Sequence, residues 1–385
     1  MELAYLGPWA VLGGVLRAFL PVWIAMAAIL GTSFALRRRL GLYGHLFASG
    51  IGVVGLALVL FWLLAAIFAD QVALFDPYAQ IRALQNKSPG VIDPASGLPY
   101  LFGGDALGRD VFGRMVYGSR SVMVIAPLAT LFAYMVGITL GLPAGYFGGW
   151  LDTALSFLAN LVLAFPVILL FYLLVTPEIR QTAIPSTMAA VLFLFPVLFM
   201  VVFFWSRFRE RPEALWWYLG PTLAIGGFVY LGLVGFWDPT GLIAMDANTL
   251  NIFLAVVFIS SPTVFRIVRG LTLDIKTRDY VAAAQTRGER PWYVMMWEIL
   301  PNARGPLIVD ACLRIGYTTI LLGTLGFFGL GVSPESPDWG STINEGRKLL
   351  RIYVHPALPP ALAIMSLVLG LNLLADAMRE QSMKD

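Results

Sequence analysis

The chain has 385 residues, 58% hydrophobic and only 13% charged, with a net charge of +3 and a mean hydropathy of +0.78. Soluble domains carry about 45–50% apolar and about 25% charged residues, so the composition excludes an ordinary soluble enzyme and makes lipid the main solvent. One cysteine, Cys312, excludes an internal disulfide framework and a multi-cysteine metal site. The small positive charge reads as Lys/Arg placement at membrane ends, not as a nucleic-acid surface.

A spanning helix needs about 20 mostly apolar residues. In chain order such stretches are predicted at 9–36, 47–69, 121–145, 153–175, 185–205, 215–236, 251–268, 306–330 and 356–376. The fold class is therefore an all-α polytopic membrane protein with about nine spans. Only Glu2 is charged ahead of Arg17, so the first stretch is read as a retained helix rather than a cleaved signal peptide. Arg17 itself either snorkels or marks an interfacial segment. Arg37, Arg38 and Arg39, then Arg207, Arg209 and Arg211, then Arg266 to Arg304 all fall on one side when the spans are threaded. The positive-inside rule assigns that side to the cytoplasm, with the N-terminus outside and the C-terminus inside.

The segment 70–120 then lies outside, and Asp105 is the expected N-cap of a helix carrying Arg109 and Asp110. Gly137, Gly141 and Gly145 recur every four residues, giving a face that another helix can approach closely. Pro143 should bend or end that helix nearby, and "GYFGGWLD" (Gly145 to Asp152) reads as a tight turn into the next span. Asp152 and Asp376, at span ends, read as solvated. Asp310 and Arg314 stand four apart on one helical face and either neutralise each other or touch a transported solute. Gly323, Gly326, Gly329 and Gly331 mark a flexible or closely packed span end.

The stretch "DYVAAAQTRGERPWYVMMWEILPNA" (Asp279 to Ala303) interrupts the apolar pattern. Ala282, Ala283 and Ala284 favour a helix, Gly288 suits its C′ position, and Pro291 suits the first turn of a second helix. That second arm carries Trp292, Met295, Met296, Ile299 and Leu300 on an apolar side and ends near Pro301. Two readings stay open on the residues alone. The hairpin offers small residues and adaptable methionines to a partner, or it lies on lipid headgroups with Trp292 and Trp297 as anchors.

The stretch resembles the coupling motif of ABC-importer permeases: a Glu-Ala-Ala triplet, a Gly four residues after its last Ala, and a later Ile-Leu-Pro. Here these pieces are Ala282, Ala283 and Ala284, then Gly288, then Ile299, Leu300 and Pro301, with Tyr280 and Arg287 beside them. "FGGDALGRDVFGRMVYGSRSVM", "GYFGGWLDTALSFLANLVLAFPVILL", "FRIVRGLTLDIKTRDYVAAAQTRG" and "LGFFGLGVSPESPDWGSTINEGR" follow in the order seen in one branch. That branch comprises the C-type subunits of dipeptide, oligopeptide and nickel importers.

The resemblance implies a type I permease core of six helices with extra spans, in the bacterial inner membrane. It implies four kinds of partner: a second homologous permease, two ATP-binding cassette subunits, an extracytoplasmic substrate-binding protein and the lipid bilayer. No nucleic acid is involved. This chain would bind no cofactor or metal and hold no catalytic residue, with ATP-Mg on the partner subunits. In keeping with that, no GxxxxGK[ST] stretch is present. Carried over, residues 1–46 hold an extra N-terminal helix and basic loop, and 47–120 the first core span and outer segment. Residues 121–376 form the permease core, with an inserted helix pair at 177–250 and the coupling loop at 270–304; 377–385 form a tail. Arg109 and Asp110 would seal the outer vestibule or meet the binding protein, unless their helix is an interfacial anchor. Asp310, Arg314, Leu322 and Gly326 would line the pathway or a gate.

Three departures stand out. The motif's Glu is Ala282, leaving Arg278, Asp279 and Arg287 as the nearby charges. An additional span precedes the Gly-Arg-Asp segment. The pair joined by "SRFRERPEAL" is inserted, and its even number preserves the orientation downstream. The alternatives are a secondary transporter, which would need midplane carboxylates and inverted repeats, or an intramembrane enzyme. Two distant histidines, His45 and His355, and one cysteine supply no constellation for the latter.

Overall fold

Proline and glycine decide where the apolar stretches become helices. The computed structural model describes residues 3–176, 179, 182–235, 238–241, 247–330 and 335–382; Gly331 and the end of the 377–385 tail lie outside them. Pro21 has no N–H to give the Arg17 carbonyl, so the first stretch is two helices, α1 (Pro8–Ala18) and α2 (Leu20–Ala35), bent by 54°. Arg17 sits exposed in the last turn before this break. Next come α3 (Gly50–Ile67) and the long α4 (Val111–Phe147). Pro166 breaks the following stretch into α5 (Gly149–Leu163) and α6 (Val167–Val175), bent by 79°. Both stretches were expected as single helices. Then follow α7 (Ile184–Phe208), α8 (Pro212–Leu233), α9 (Ala247–Ile275), α10 (Asp279–Thr286), α11 (Arg304–Phe327), α12 (Trp339–Arg347) and α13 (Leu358–Ser382). Among the described residues 7 helices are long and apolar enough to span, or 9 if each bent pair counts as one span. Among the described residues the one departure from all-α is a small antiparallel hairpin of β1 (Val91–Ile92) and β2 (Pro99–Tyr100), in the segment 70–120 expected to lie outside.

The chain forms two compact units, Met1–Pro127 with Val309–Asp385, and Leu128–Ile308. In the first, α3 and α13 meet through glycine, because a Cβ on Gly370 would lie 2.7 Å from Leu58 Cβ. The Trp62 indole N–H donates to Ser366 Oγ at 2.9 Å across the same pair. Its ring meets that of Trp339 edge-on at 5.0 Å, inside a core that also buries Phe19, Val22, Phe112 and Leu367.

In the second unit the glycine face of α4 does what its spacing predicts. A Cβ on Gly137, Gly141 or Gly145 would lie 2.6, 2.9 or 2.7 Å from the Cβ of Val264, Val268 or Thr272 on α9. Helix α4 ends at Phe147, shortly after Pro143, and Gly148 and Gly149 turn the chain with φ of 66° and 63°. Arg269 on α9 donates through Nη2 to Asp152 Oδ2 at 2.6 Å. Asp152 is therefore ion-paired rather than solvated, whereas Asp376 is exposed as expected. The inserted helices α7 and α8 pack on each other, with Tyr218 stacked on Phe204 and Phe208 at 5.3 and 4.7 Å.

Candidate functional site

Helix α10 stops by a Schellman motif. The Gly288 N–H donates to the Gln285 carbonyl at 2.9 Å and the Glu289 N–H to the Ala284 carbonyl at 3.1 Å. This geometry needs the φ of 83° that Gly288 adopts. Arg290 is extended, as a residue before proline must be, and Pro291 opens the second arm. That arm is not the uniform helix the sequence suggests. Val294–Ile299 form a π-helix before Leu300–Asn302 resume the α form. The wide turn lies just before Pro301, which has no N–H for the Trp297 carbonyl.

The faces divide sharply. Val281 and Ala284 are buried, while Tyr280, Ala282, Ala283, Arg287 and Gly288 are exposed. On the second arm Val294, Met295, Met296 and Ile299 are buried, Leu300 is half-buried and Pro301 exposed. The expectation that Met295 and Met296 face a partner is corrected: at 0% and 1% exposure they form the interior of the hairpin. On α10 the open side is the small-residue and arginine face. Arg278, Asp279 and Arg287, the charges around the missing glutamate, are all on the exposed side. Arg287 also reaches Glu298 at 3.3 Å, tying the two arms.

Contacts on two flanks hold the hairpin. Gln285 donates to the Tyr146 hydroxyl at 3.0 Å, and Lys276 Nζ, just before the hairpin, donates to the Gly145 carbonyl at 2.8 Å and so caps the C-terminus of α4. On the other flank the Trp297 indole N–H donates to Ser206 Oγ at 3.1 Å. The Trp297 ring lies 4.7 Å from that of Phe203 and 4.5 Å beneath the Arg207 guanidinium. Sequence reasoning missed Tyr146, Phe203 and Ser206, and considered Trp297 only as a headgroup anchor in one of two open readings; its partners come from remote chain positions and carry no local signal.

Asp310 and Arg314 meet at 3.0 Å on α11, both side chains mostly buried. Leu322 is half-buried further along the helix. Gly326 is buried at a close approach to the start of α12: a Cβ there would strike the Asp338 carboxylate and lie 2.9 Å from Gly340 Cα. Gly329 ends the helix with φ of 76°. Tight packing, one of the two expected readings of this glycine cluster, is therefore what Gly323 and Gly326 do.

The outer segment assembles a buried polar seam from two distant sequence blocks. Arg109 donates to Asp105 at 2.6 Å and also pairs with Glu345. Arg114 donates to the Ser336 carbonyl at 2.9 Å, and the Trp339 indole N–H to the Met115 carbonyl at 2.7 Å. The helix cap differs from expectation. Asp105 closes a turn by accepting from the Leu107 and Arg109 N–H groups, and Asp110 caps α4 by accepting from Phe112 and Gly113. Arg109 and Asp110 are 2% and 1% exposed, so their side chains stabilise the segment and do not present to a binding protein. Burial pushes the Asp110 carboxyl up to about 7, against two N–H bonds that lower it. Asp338 is likewise raised by burial, while burial lowers the His355 imidazole, whose Nε2 lies 3.2 Å from the Gly104 carbonyl.

Residues 137–382 match the family described as "Binding-protein-dependent transport system inner membrane component". The chain is 28% identical over 333 residues to the glutathione transport system permease protein GsiD of Pectobacterium atrosepticum, covering 86% of this chain and 84% of that one. It is 29% identical over 332 residues to the dipeptide transport system permease protein DppC of Haemophilus influenzae, covering 85% and 88%. DppC of Alkalihalophilus pseudofirmus is 28% identical over 330 residues, covering 86% and 84%. With the family matched over more than half of its length, this chain belongs to the binding-protein-dependent transport system inner membrane components and is a multi-pass inner-membrane permease of an ABC importer.

Proposed function

We propose that this permease imports di- or oligopeptides, or similar small polar solutes such as glutathione. In this reading it forms the pathway with a second homologous permease, and an extracytoplasmic binding protein delivers the solute. Two cytoplasmic ATPases, carrying ATP-Mg, grip the exposed face of α10. The observation that carries the proposal is the division of that short helix. Tyr280, Ala282, Ala283 and Arg287 are open, while Val281, Ala284 and the methionine arm lock it to the rest of its unit. A rigid segment with one open face transmits displacement, because packed interfaces shift between discrete arrangements rather than deforming. ATP binding and hydrolysis then bias the spans between outward- and inward-facing states through contacts that differ between them.

The chain contributes no nucleotide-binding loop of its own. In this reading an inserted helix pair occupies residues 177–250 and the coupling loop residues 270–304. Asp310, Arg314, Leu322 and Gly326 remain the proposed pathway or gate positions. The Asp310–Arg314 pair neutralises itself, so it does not favour a charged solute of either sign. The test is to purify the chain with its partners and measure ATPase activity with and without binding protein loaded with defined dipeptides or glutathione. Stimulation by one loaded form and not by empty binding protein is expected. Absence of any co-purifying ATPase overturns the proposal.

A further inference from the structure

The inserted helices line two cavities of opposite character. One, about 350 Å³, lies between α7, α8 and α4 and is lined by groups such as Phe132, Phe193, Val197, Met200, Ile225 and Gly226. Its two hydroxyls are already satisfied: Thr222 donates to the Tyr218 carbonyl at 2.7 Å and Tyr230 to the Ala190 carbonyl at 3.1 Å. The groove therefore offers only apolar surface. The second cavity, about 370 Å³, lies where the α7–α8 link meets the coupling hairpin and is lined by Arg207, Arg209, Arg211 and Arg290 with Glu210 and Glu289.

The two lie one helical turn apart along α7. Phe204 lines the first and Phe208, one turn on, lines the second, and both stack on Tyr218. Four arginines against two glutamates leave the polar cavity net positive, and no ion pair engages these arginines among the described residues. Arg207 and Arg209 lie over the rings of Trp297 and Trp205 at 4.5 and 4.9 Å. Stacking of this kind uses the guanidinium face and leaves its in-plane N–H groups for an acceptor. Trp216 and Trp217, 64% and 76% exposed in the first turns of α8, place this end at headgroup depth.

We propose that the inserted pair holds an anionic phospholipid, with its phosphate among the arginines and an acyl chain in the groove. A soluble anion has no use for the groove, and an acidic protein surface has none either; one amphipathic molecule fits both. Because Glu289, Arg290 and Tyr293 of the coupling hairpin line the headgroup cavity, the bound lipid bridges the insertion and the hairpin. The site stands on this geometry alone, and its test has no transport readout, so it succeeds or fails separately from the proposed substrate and partners.

The full chain is loaded with equimolar phosphatidylglycerol and phosphatidylcholine, and retained lipid is read by native mass spectrometry. Phosphatidylglycerol should be retained in excess. Arg211→Gln with Arg290→Gln, whose side chains make no ion pair among the described residues, should cut that excess about tenfold. Arg38→Gln with Arg39→Gln, the same loss of charge elsewhere, should not. Gly226→Leu, which fills the groove, should reduce retention of both lipids. Equal retention of the two lipids, or an equal loss in the Arg38/Arg39 variant, overturns the proposal. So does displacement of the lipid by millimolar inorganic phosphate, which would assign a simple anion site. Unchanged lipid retention in the Arg211/Arg290 variant with weakened ATPase association would assign these arginines to a protein contact and overturn it as well.

Discussion

The outer segment and the coupling segment draw on the same alphabet of Arg, Asp, Gly and aromatic residues and use it in opposite ways. In the first, Arg109, Arg114, Asp105, Asp110 and Asp338 are buried, each with partners from its own unit. In the coupling segment, Arg278, Asp279 and Arg287 stay exposed, and the interior is apolar, built from Val281, Val294, Met295, Met296 and Ile299. A segment that satisfies its own charges is a scaffold. One that leaves its charges outward and hides its apolar residues presents a rigid polar face to another molecule. Buried charges are costly unless fully paired, so the first arrangement tolerates substitution poorly and the second tolerates it well at its surface.

The largest expected effect breaks the outer scaffold. Arg109→Ala leaves Asp105 and Glu345 without their shared cation and should destabilise the chain by about 3–5 kcal/mol, the scale of an unpaired buried charge. A thermal melt in detergent or the yield of folded protein reads this. A near-unchanged melt would show that the seam is solvated. Next, Gly288→Val forces a β-branched residue to the φ of 83° that closes α10. The strain is about 1–2 kcal/mol, confined to the hairpin, so membrane insertion should persist while uptake is lost. Normal uptake in this variant would count against the coupling assignment.

How much of this was legible in the sequence depended on how local the signal was. The Gly137, Gly141 and Gly145 face, the Gly288 turn and the Pro291 start are written within a few residues, and the structure realises each of them. The bends at Pro21 and Pro166 were equally local but were masked by the long apolar runs around them. The polar seam was half legible. Arg109 and Asp110 stand out in "LGRDVFGR", but Glu345, Asp338 and Trp339 come from a block more than 200 residues away, and only tertiary pairing reveals the match. The aromatic anchoring of Trp297 on α7 was illegible for the same reason, since a tryptophan beside basic residues reads as well for headgroups as for Phe203 and Ser206.

A smaller effect sharpens the contrast through pH. Asp110 has a folded-state value raised by burial to about 7, against an ordinary carboxylate value of about 4. Between these values the folded chain holds the proton more tightly than the unfolded chain does. Its stabilising contribution is therefore full below about 4 and is lost as pH rises to about 7. Asp110→Asn keeps an acceptor for the Phe112 and Gly113 N–H groups and should flatten the melt-versus-pH curve over this window. A slope identical to that of the natural chain would assign the dependence to another group. The smallest effect is expected at the open face, where Ala282→Glu introduces the glutamate of the coupling motif that this stretch resembles. The side chain points outward, so folding should be unchanged and coupling efficiency altered by no more than a few-fold, as for an exposed ion pair. A loss of folded protein would show that Ala282 is packed in the assembled transporter.

The central claim is that the open face of α10 is where the motor grips. The direct measurement is site-specific cross-linking in the assembled transporter, with Cys312→Ser as background and a single cysteine introduced as Ala282→Cys, Ala283→Cys or Met295→Cys. Ala282→Cys and Ala283→Cys should form adducts with the ATPase subunit, while Met295→Cys, buried inside the hairpin, should not. An ATPase that co-purifies but cross-links to neither alanine position would contradict the account.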